Sequence, residues 1–300
     1  MFKRIMLIPI LIFFVCTVSA QKSNEKTGSL LWKVSGKGLE RPSYIYGTHH
    51  LFPLSFLDSV AGLKNAFASS EQMVGELVLN DMSAMMVEMQ KASMMPPDTT
   101  WQMILSEEDY RFVDEQLYAF FGVGLQAFGM FKPAMASLQY AAVFHQRKFP
   151  ENKGESPDIW FQQQAVSKGI PVIGLESIQD QIYALFEVAS LKRQAEDLVC
   201  GLKNPDYSES QTKRIISFYR SADLTGLSEL FHEEGPCPSN EKQMTALNKT
   251  RNDKWLEILP SIMADKPSFI AVGALHLVGE EGILVGLEKA GYEVEAVISE

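Results

Sequence analysis

The chain has 300 residues and a formal net charge of −10, from 27 Lys and Arg against 37 Asp and Glu. This acidic balance disfavours a nucleic-acid binder and a polybasic membrane-surface protein, because both classes need a cationic face. With 46% apolar and 21% charged residues, the chain can bury a core, and extensive disorder is not expected.

The first 20 residues have the layout of a secretory signal peptide. Lys3 and Arg4 precede an apolar run over 5–15, and the small residues Val18-Ser19-Ala20 follow it, so cleavage is expected after Ala20. The run is too short for a comfortable membrane span, although an uncleaved anchor and a lipid-modified Cys16 are alternatives. We therefore predict an exported protein with no stable membrane span after signal cleavage.

Two cysteines, Cys200 and Cys237, lie beyond the predicted signal peptide. In an exported protein an even pair of cysteines favours a disulfide, and two free buried thiols are the alternative. The two residues are 37 positions apart, and for that separation the chain-entropy model gives the disulfide about 4 kcal/mol of stabilisation. Two cysteines are too few for a zinc site built from thiolates.

Hydrophobic patterns predict strands at both ends of the exported chain and helices in its middle. The predicted strands are 31–34, 43–46, 71–79, 170–175, 268–272 and 292–298. The predicted helices are 55–69, 106–121, 132–148, 158–168, 178–201, 207–220, 223–233, 239–264 and 280–290. Met82, Met85, Met86 and Met89 have the spacing of one helical stripe, which we interpret mainly as core.

Strand–helix–strand order at both ends predicts an α/β fold with right-handed crossovers. We predict a single domain over 21–300, in which a mainly parallel central sheet is built from two β-α-β halves and flanked by helices. A large helical insertion is expected at roughly 81–265, interrupted by a strand near 170–176.

Both predicted β-α-β units carry a Gly-x-x-His motif at the end of their first strand, Gly47-Thr48-His49-His50 and Gly273-Ala274-Leu275-His276. Ligands bind at the carboxyl ends of strands in open α/β sheets, and glycine allows a sharp turn there. If the two units are sheet neighbours, His50 and His276 face each other, as a transition-metal site requires. The alternative is that these histidines are ordinary structural residues. His49 points the other way in extended chain and is a candidate for supporting a ligand or contacting substrate, or it is merely exposed.

Several polar residues could complete such a site. Glu76 is flanked by apolar residues in a predicted buried strand, so it is a candidate metal ligand or general base, or the buried partner of an arginine. Glu176, at the end of the strand PVIGLE, either lines the same crevice or caps the next helix. Asp158 is interpreted as a helix N-cap. Arg251 and Asn252 interrupt an apolar helix, where Arg251 could bind a substrate carboxylate or an oxyanion, or form a surface salt bridge.

Taken together, these residues resemble the TraB/GumN family, which is related to the Tiki metalloproteases. The matching phrases, in order, are LLWKVSGKG with SYIYGTHH, MVGELVL, the stretch from PD to PVIGLES, LNKTRNDKW, and FIAVGALHLVGEEGILVGLEKAGYEVE. The resemblance implies a sheet architecture similar to erythromycin-esterase-like and ChaN-like proteins, and paired Gly-x-x-His motifs around a divalent metal. Carried over to this chain, it names Gly47, His50, Glu76, Arg251, Gly273 and His276. The first motif has His49 where the family usually has an aliphatic residue.

The leading hypothesis is an exported, periplasmic metal-dependent hydrolase, above all a peptidase, acting on a peptide or other small substrate. His50, His276 and Glu76 would bind Mn²⁺, Co²⁺ or Zn²⁺, with Glu76 and Arg251 in catalytic roles. Glu176, His49 and Asn252 would support the metal ligands or contact substrate. One rival is a non-catalytic extracytoplasmic binding protein for peptide or polysaccharide. The other is a metal-free, esterase-like hydrolase with a histidine base.

Overall fold

The computed structural model describes residues 28–79, 82–150 and 156–298, apart from the side chain of Met82. The predicted signal peptide lies outside the described residues. Within them, no helix is both long and apolar enough to cross a membrane.

Six strands form one mixed, mostly parallel sheet in the order β4-β3-β5-β2-β1-β6. Their bounds are β1 Leu31–Ser35, β2 Ser43–Thr48, β3 Gln72–Gly75, β4 Val172–Gly174, β5 Ser268–Gly273 and β6 Glu293–Ala296. Strands β2, β5, β3 and β4 are parallel neighbours, and β1 pairs antiparallel with β2 and β6. The prediction of an α/β protein with a mainly parallel sheet is confirmed.

The helical part of the chain lies mostly between β3 and β5. The helices are α1 Leu63–Ser69, α2 Met82–Ala92, α3 Trp101–Ile104, α4 Glu107–Phe121, α5 Leu125–Phe128, α6 Pro133–Lys148, α7 Pro157–Ser167, α8 Ile178–Ile182, α9 Leu191–Lys203, α10 Pro205–Arg220, α11 Leu224–Phe231, α12 Glu241–Leu247, α13 Lys249–Asp265 and α14 Ile283–Lys289. Two short 3-10 helices, Leu54–Ser59 and Ala274–His276, and a π-helical turn, Tyr183–Glu187, complete the elements.

Two hydrophobic clusters hold these elements together. The larger one covers the sheet and includes the fully buried side chains of Tyr46, Phe161, Trp255 and Phe269. The smaller one joins helices of the middle region around Trp101, Val113, Leu117 and Leu198. The disulfide between Cys200 and Cys237, with sulfur atoms 2.11 Å apart, ties α9 to the loop before α12.

Several predicted elements end earlier than their apolar patterns suggest. The strand predicted over 71–79 stops at Gly75, so Glu76 lies just beyond β3. The helix predicted over 178–201 is divided by the π-helical turn. In both cases long-range packing overrides the local hydrophobic period. The interpretation of the methionine stripe on α2 as mainly core is wrong: Met86 is 66% exposed, Met85 and Met89 are only half-buried, and neither hydrophobic cluster of the described residues includes them.

Candidate functional site

The two Gly-x-x-His motifs follow adjacent strands. β2 and β5 pair in parallel, with Gly47 opposite Val272 and Thr48 opposite Gly273. A Cβ atom on Gly47 would lie 2.9 Å from Leu277 Cδ1 and 3.1 Å from the Cα atom of Ala274. Glycine is therefore needed at position 47 because the two turns touch, whereas neither motif glycine has a positive φ angle.

Arg251, near the start of α13, lies among three of the predicted site residues. Its Nε and Nη2 donate to the two oxygens of Glu176, at 2.8 and 2.7 Å, and Nη2 also donates to Glu76 Oε2 at 2.6 Å. Its Nη1 bonds His276 Nε2 at 3.0 Å. The Glu176 side chain is 1% exposed and that of Arg251 is 10% exposed, so this is a buried ion-pair network and not a surface salt bridge.

Glu76 is held from two further sides. The Gly273 N–H donates to Glu76 Oε1 at 2.8 Å, which links the acid after β3 to the glycine that ends β5. The backbone N–H of Glu176 donates to the Glu76 carbonyl at 3.0 Å and sets the two acids side by side. Burial by itself raises the pKa of Glu76, but the Arg251 guanidinium, the charge of His50 and the Gly273 N–H hold that pKa below its usual value.

The hydrogen bonds of His276 define its tautomer. A guanidinium has donors only, so Nε2 must accept from Arg251 and Nδ1 must carry the hydrogen. That Nδ1 lies 2.7 Å from Asn252 Oδ1, and the Asn252 amide nitrogen donates to the backbone oxygens of His276 and Glu281. Burial, reinforced by the charge of Arg251, lowers the pKa of His276 to about 3, so the ring is neutral at neutral pH.

His50 has a different environment. Its Nδ1 lies 2.7 Å from Asp158 Oδ2, and the other Asp158 oxygen accepts from Thr48 Oγ1 at 2.7 Å. Burial in the crevice lowers the pKa of His50, but the Asp158 carboxylate outweighs that effect and raises it to about 9. The His50 side chain is 62% exposed, so water and ligands can reach its other nitrogen, Nε2. The charge of His50 also contributes to the lowered pKa of His276.

Comparison with known proteins assigns the family. Residues 30–296 match the model of the TraB/PrgY/gumN family. The chain belongs to that family. Metalloprotease TIKI2 of Danio rerio is 22% identical to it over 323 aligned positions, which cover 91% of this chain. The chain spans 62% of the length of that relative. No solved structure matches it.

In this TraB/PrgY/gumN protein, most of the residues singled out in the sequence lie close together. Glu76, Glu176, Arg251, Asn252 and His276 form one connected hydrogen-bond network. His50 lies beside it through the adjacent turn and bonds Asp158 instead. The helix after β4 is capped by Ser177 and not by Glu176.

His49 lies apart from these residues. Its ring packs 5.4 Å from both Phe52 and Tyr219 and 5.8 Å from His145, measured between centroids. Burial first, and the charge of His145 second, lower the pKa of His49 to about 4. The structure therefore surrounds this imidazole with aromatic side chains.

Sequence reasoning missed the part played by Asp158. We interpreted it as an N-cap, but Ser156 is the N-cap of α7, and Asp158 reaches instead to Thr48 and His50. His50 and Asp158 are 108 positions apart in the chain, so no local sequence pattern could have paired them. Tyr219 was also missed: its hydroxyl donates to the Gly47 carbonyl at 3.0 Å and lies 3.0 Å from the Tyr46 hydroxyl.

The side chains of this site are of the types that bind divalent metals, but their present hydrogen bonds do not leave them free to do so. Both histidines have Nδ1 bonded to an oxygen, as metal-binding histidines commonly do, which leaves Nε2 for a metal. However, Arg251 is already the cation that contacts Glu76 and His276. Among the described residues, no group of three or more His, Cys, Asp or Glu side chains is arranged to hold a metal ion.

Proposed function

We propose that this protein is an exported hydrolase, above all a peptidase, which uses a divalent metal held by Nε2 of His50 and of His276 together with Glu76. One observation carries the proposal: two histidines on adjacent parallel strand ends each have Nδ1 fixed by an oxygen, so that Nε2 is the nitrogen that would face a metal once His50 has lost its proton and Arg251 Nη1 has moved away from His276. The relative named as a metalloprotease supports this choice among hydrolases.

The metal, when bound, would supply a water of lowered pKa and polarise the scissile carbonyl. The chain's own residues account for the rest. Asp158 and Asn252 fix the ring orientations of His50 and His276. Glu76 is ionised at neutral pH and either ligates or accepts the proton of the attacking water. Arg251 keeps this acid charged, and once its Nη1 leaves His276 it can donate to a developing oxyanion.

Mn²⁺, Co²⁺ and Zn²⁺ are the ions to test. Purified protein is loaded with each, dialysed, and analysed for bound metal and for cleavage of a peptide library. We expect one metal per chain, loss of metal and turnover in His50→Ala and His276→Ala, and normal metal content in His232→Ala, whose exposed ring bonds Ser228. Equal metal content and equal activity in all four proteins would overturn the proposal.

A second candidate, a metal-free hydrolase with a histidine base, is favoured by the contacts of Arg251. The guanidinium already satisfies Glu76, Glu176 and His276, while the exposed His50 is oriented by a carboxylate, as in a histidine–acid pair that moves protons. Because Asp158 raises the pKa of His50 to about 9, the ring acts as a base only after it has lost its proton. The two candidates differ in chelator sensitivity. Turnover that survives removal of all metal but disappears in His50→Ala supports this second candidate and excludes the first.

Export is the remaining part of the proposal. A disulfide is compatible with an exported protein, because such bonds persist in oxidising compartments. We propose cleavage after Ala20 and a periplasmic location. N-terminal sequencing of the protein from a periplasmic extract tests this, and a chain that begins at Met1 in the cytoplasmic fraction would contradict it.

A further inference from the structure

A large cavity lies beside the second Gly-x-x-His turn. It has a volume of about 830 Å³, is open to solvent on one side, and is bordered by α11, α12, the loop between them and the segment that follows His276. This volume is within the range of pockets that bind small-molecule ligands. Glu76, Arg251 and His50 are not among its lining residues, so it is distinct from the site described above.

Two lining residues connect this cavity to the candidate active site. The Asn252 amide nitrogen donates to Asn248 Oδ1 and to the Glu281 carbonyl, both at 2.8 Å, and its Oδ1 faces His276 Nδ1 at 2.7 Å. Asn248 and Glu281 line the cavity. A single side chain, that of Asn252, therefore separates the cavity wall from the histidine ring.

The cavity is acidic around an apolar floor. Five glutamates line it, Glu233, Glu234, Glu241, Glu280 and Glu281, and none of the described lining residues is Lys or Arg. Within the described part of the chain, ion pairs reach two of the five, Glu233 through Arg214 and Glu280 through Lys289. Leu224, Val278 and Met244 contribute apolar surface.

This combination fits one chemical class of ligand. Lys and Arg side chains pack their aliphatic stems against apolar surface while their charged heads reach acceptors. A divalent cation would use the carboxylates and leave the apolar floor without a partner, and an acidic peptide would be repelled.

We propose that this cavity is a substrate subsite that binds a basic segment of a peptide, with Lys or Arg next to apolar residues. The inference rests on the proposed peptidase function for the role of the bound segment, and it places that segment one side chain away from His276. Preference for basic substrates then comes from Glu234, Glu241 and Glu281.

Binding tests this without turnover. Three fluorescein-labelled peptides of equal length, alternating Leu with Lys, Glu or Ser, are titrated with the full protein in chelator, and fluorescence anisotropy gives the affinities. We expect the Lys peptide to bind most tightly and to weaken as salt is raised from 50 to 500 mM. Equal affinity for the Lys and Glu peptides overturns the proposal.

A matched pair of variants locates the binding. The cavity variant Glu234→Gln/Glu241→Gln/Glu281→Gln should lose about tenfold in affinity for the Lys peptide, which corresponds to about 1.4 kcal/mol. The control Glu107→Gln/Glu108→Gln/Glu115→Gln removes the same charge from exposed positions on α4 and should change the affinity less than twofold. An equal loss in both variants means that only net charge matters and overturns the proposal.

A third variant fills the cavity and keeps every charge, so the proposal can still be tested if the triple substitution prevents folding. Thr245 lines the cavity and is exposed, so Thr245→Trp fills the space without touching the core. It should weaken the Lys peptide at least fivefold, and unchanged affinity overturns the proposal. Selective binding of the Lys peptide with no cleavage in any metal supports the subsite while it removes the proposed peptidase function, so the two ideas fail separately.

Discussion

The two Gly-x-x-His turns share a four-residue pattern, but their histidines have opposite surroundings. His276 is buried, bonds an amide and an arginine, and has a pKa lowered to about 3. His50 is 62% exposed, bonds a carboxylate, and has a pKa raised to about 9. The same motif therefore places a neutral acceptor and a protonated donor side by side.

The buried network around His276 depends most on Arg251. Arg251→Met leaves the buried acids Glu76 and Glu176 without their cation, and we expect a loss of about 3–5 kcal/mol in the free energy of unfolding. Arg111→Met, which breaks an exposed pair with Glu107, should cost less than about 1 kcal/mol. Urea unfolding measures both. Equal losses in the two variants would show that the Arg251 network contributes no more to stability than an exposed ion pair.

The loss of the disulfide that ties α9 to the loop before α12 is next in size. Replacing Cys200 and Cys237 together by Ser should lower the free energy of unfolding by about 4 kcal/mol, because 37 residues of loop closure return to the unfolded chain. Reduction of the wild-type protein should reproduce this loss in thermal unfolding. The NMR signal of His50 should not move, and a shift there would mean that the two turns are coupled.

The first turn is anchored by Tyr219 from α10. Tyr219→Phe removes the hydroxyl that donates to the Gly47 carbonyl and takes away the partner of the buried Tyr46 hydroxyl, so we expect a loss of about 1–3 kcal/mol. Tyr118→Phe, at an exposed position, is the control and should be close to neutral. A double-mutant cycle with Tyr46→Phe should show coupling, since the two hydroxyls are 3.0 Å apart. Additive losses would contradict this.

The smallest effect concerns Asp158 and depends on pH. Asp158→Asn removes the charge that raises the pKa of His50, so NMR titration in chelator should show a pKa well below 9, while His276 stays neutral. The pKa of His50 is about 9 in the folded protein and about 6.5 in the unfolded chain. Protonation of His50 therefore stabilises the fold fully below about pH 6.5, and this contribution disappears as the pH rises through about 9.

The stability cost of Asp158→Asn should therefore be larger at pH 6.5 than at pH 10. Because the ring is exposed and solvent screens it, we expect less than about 1 kcal/mol. Asp58→Asn, which disturbs an exposed pair with Lys64, should leave the His50 titration unchanged. A greater cost at pH 10 would reverse the assigned direction.

The periodic parts of the fold could be predicted from the sequence. The helix expected over 132–148 is α6 Pro133–Lys148, and the cysteine pair forms the expected disulfide. The strand expected over 71–79 ends at Gly75, four residues early, and the side chain of Glu76 just beyond it accepts from the Gly273 N–H of the neighbouring strand. The helix expected over 239–264 divides at Asn248, whose side chain bonds the Leu275 carbonyl.

Local patterns of apolar and polar residues were enough to predict the strand and helix periods, the two Gly-x-x-His turns and the buried acid. The bonds by which Arg251 joins Glu76 to His276, and by which Asp158 and Tyr219 hold the first turn, form only when distant elements pack together. These partners are 25 to 175 positions apart. Hydrogen bonds of such separation depend on how strands and helices pack, which no local spacing encodes.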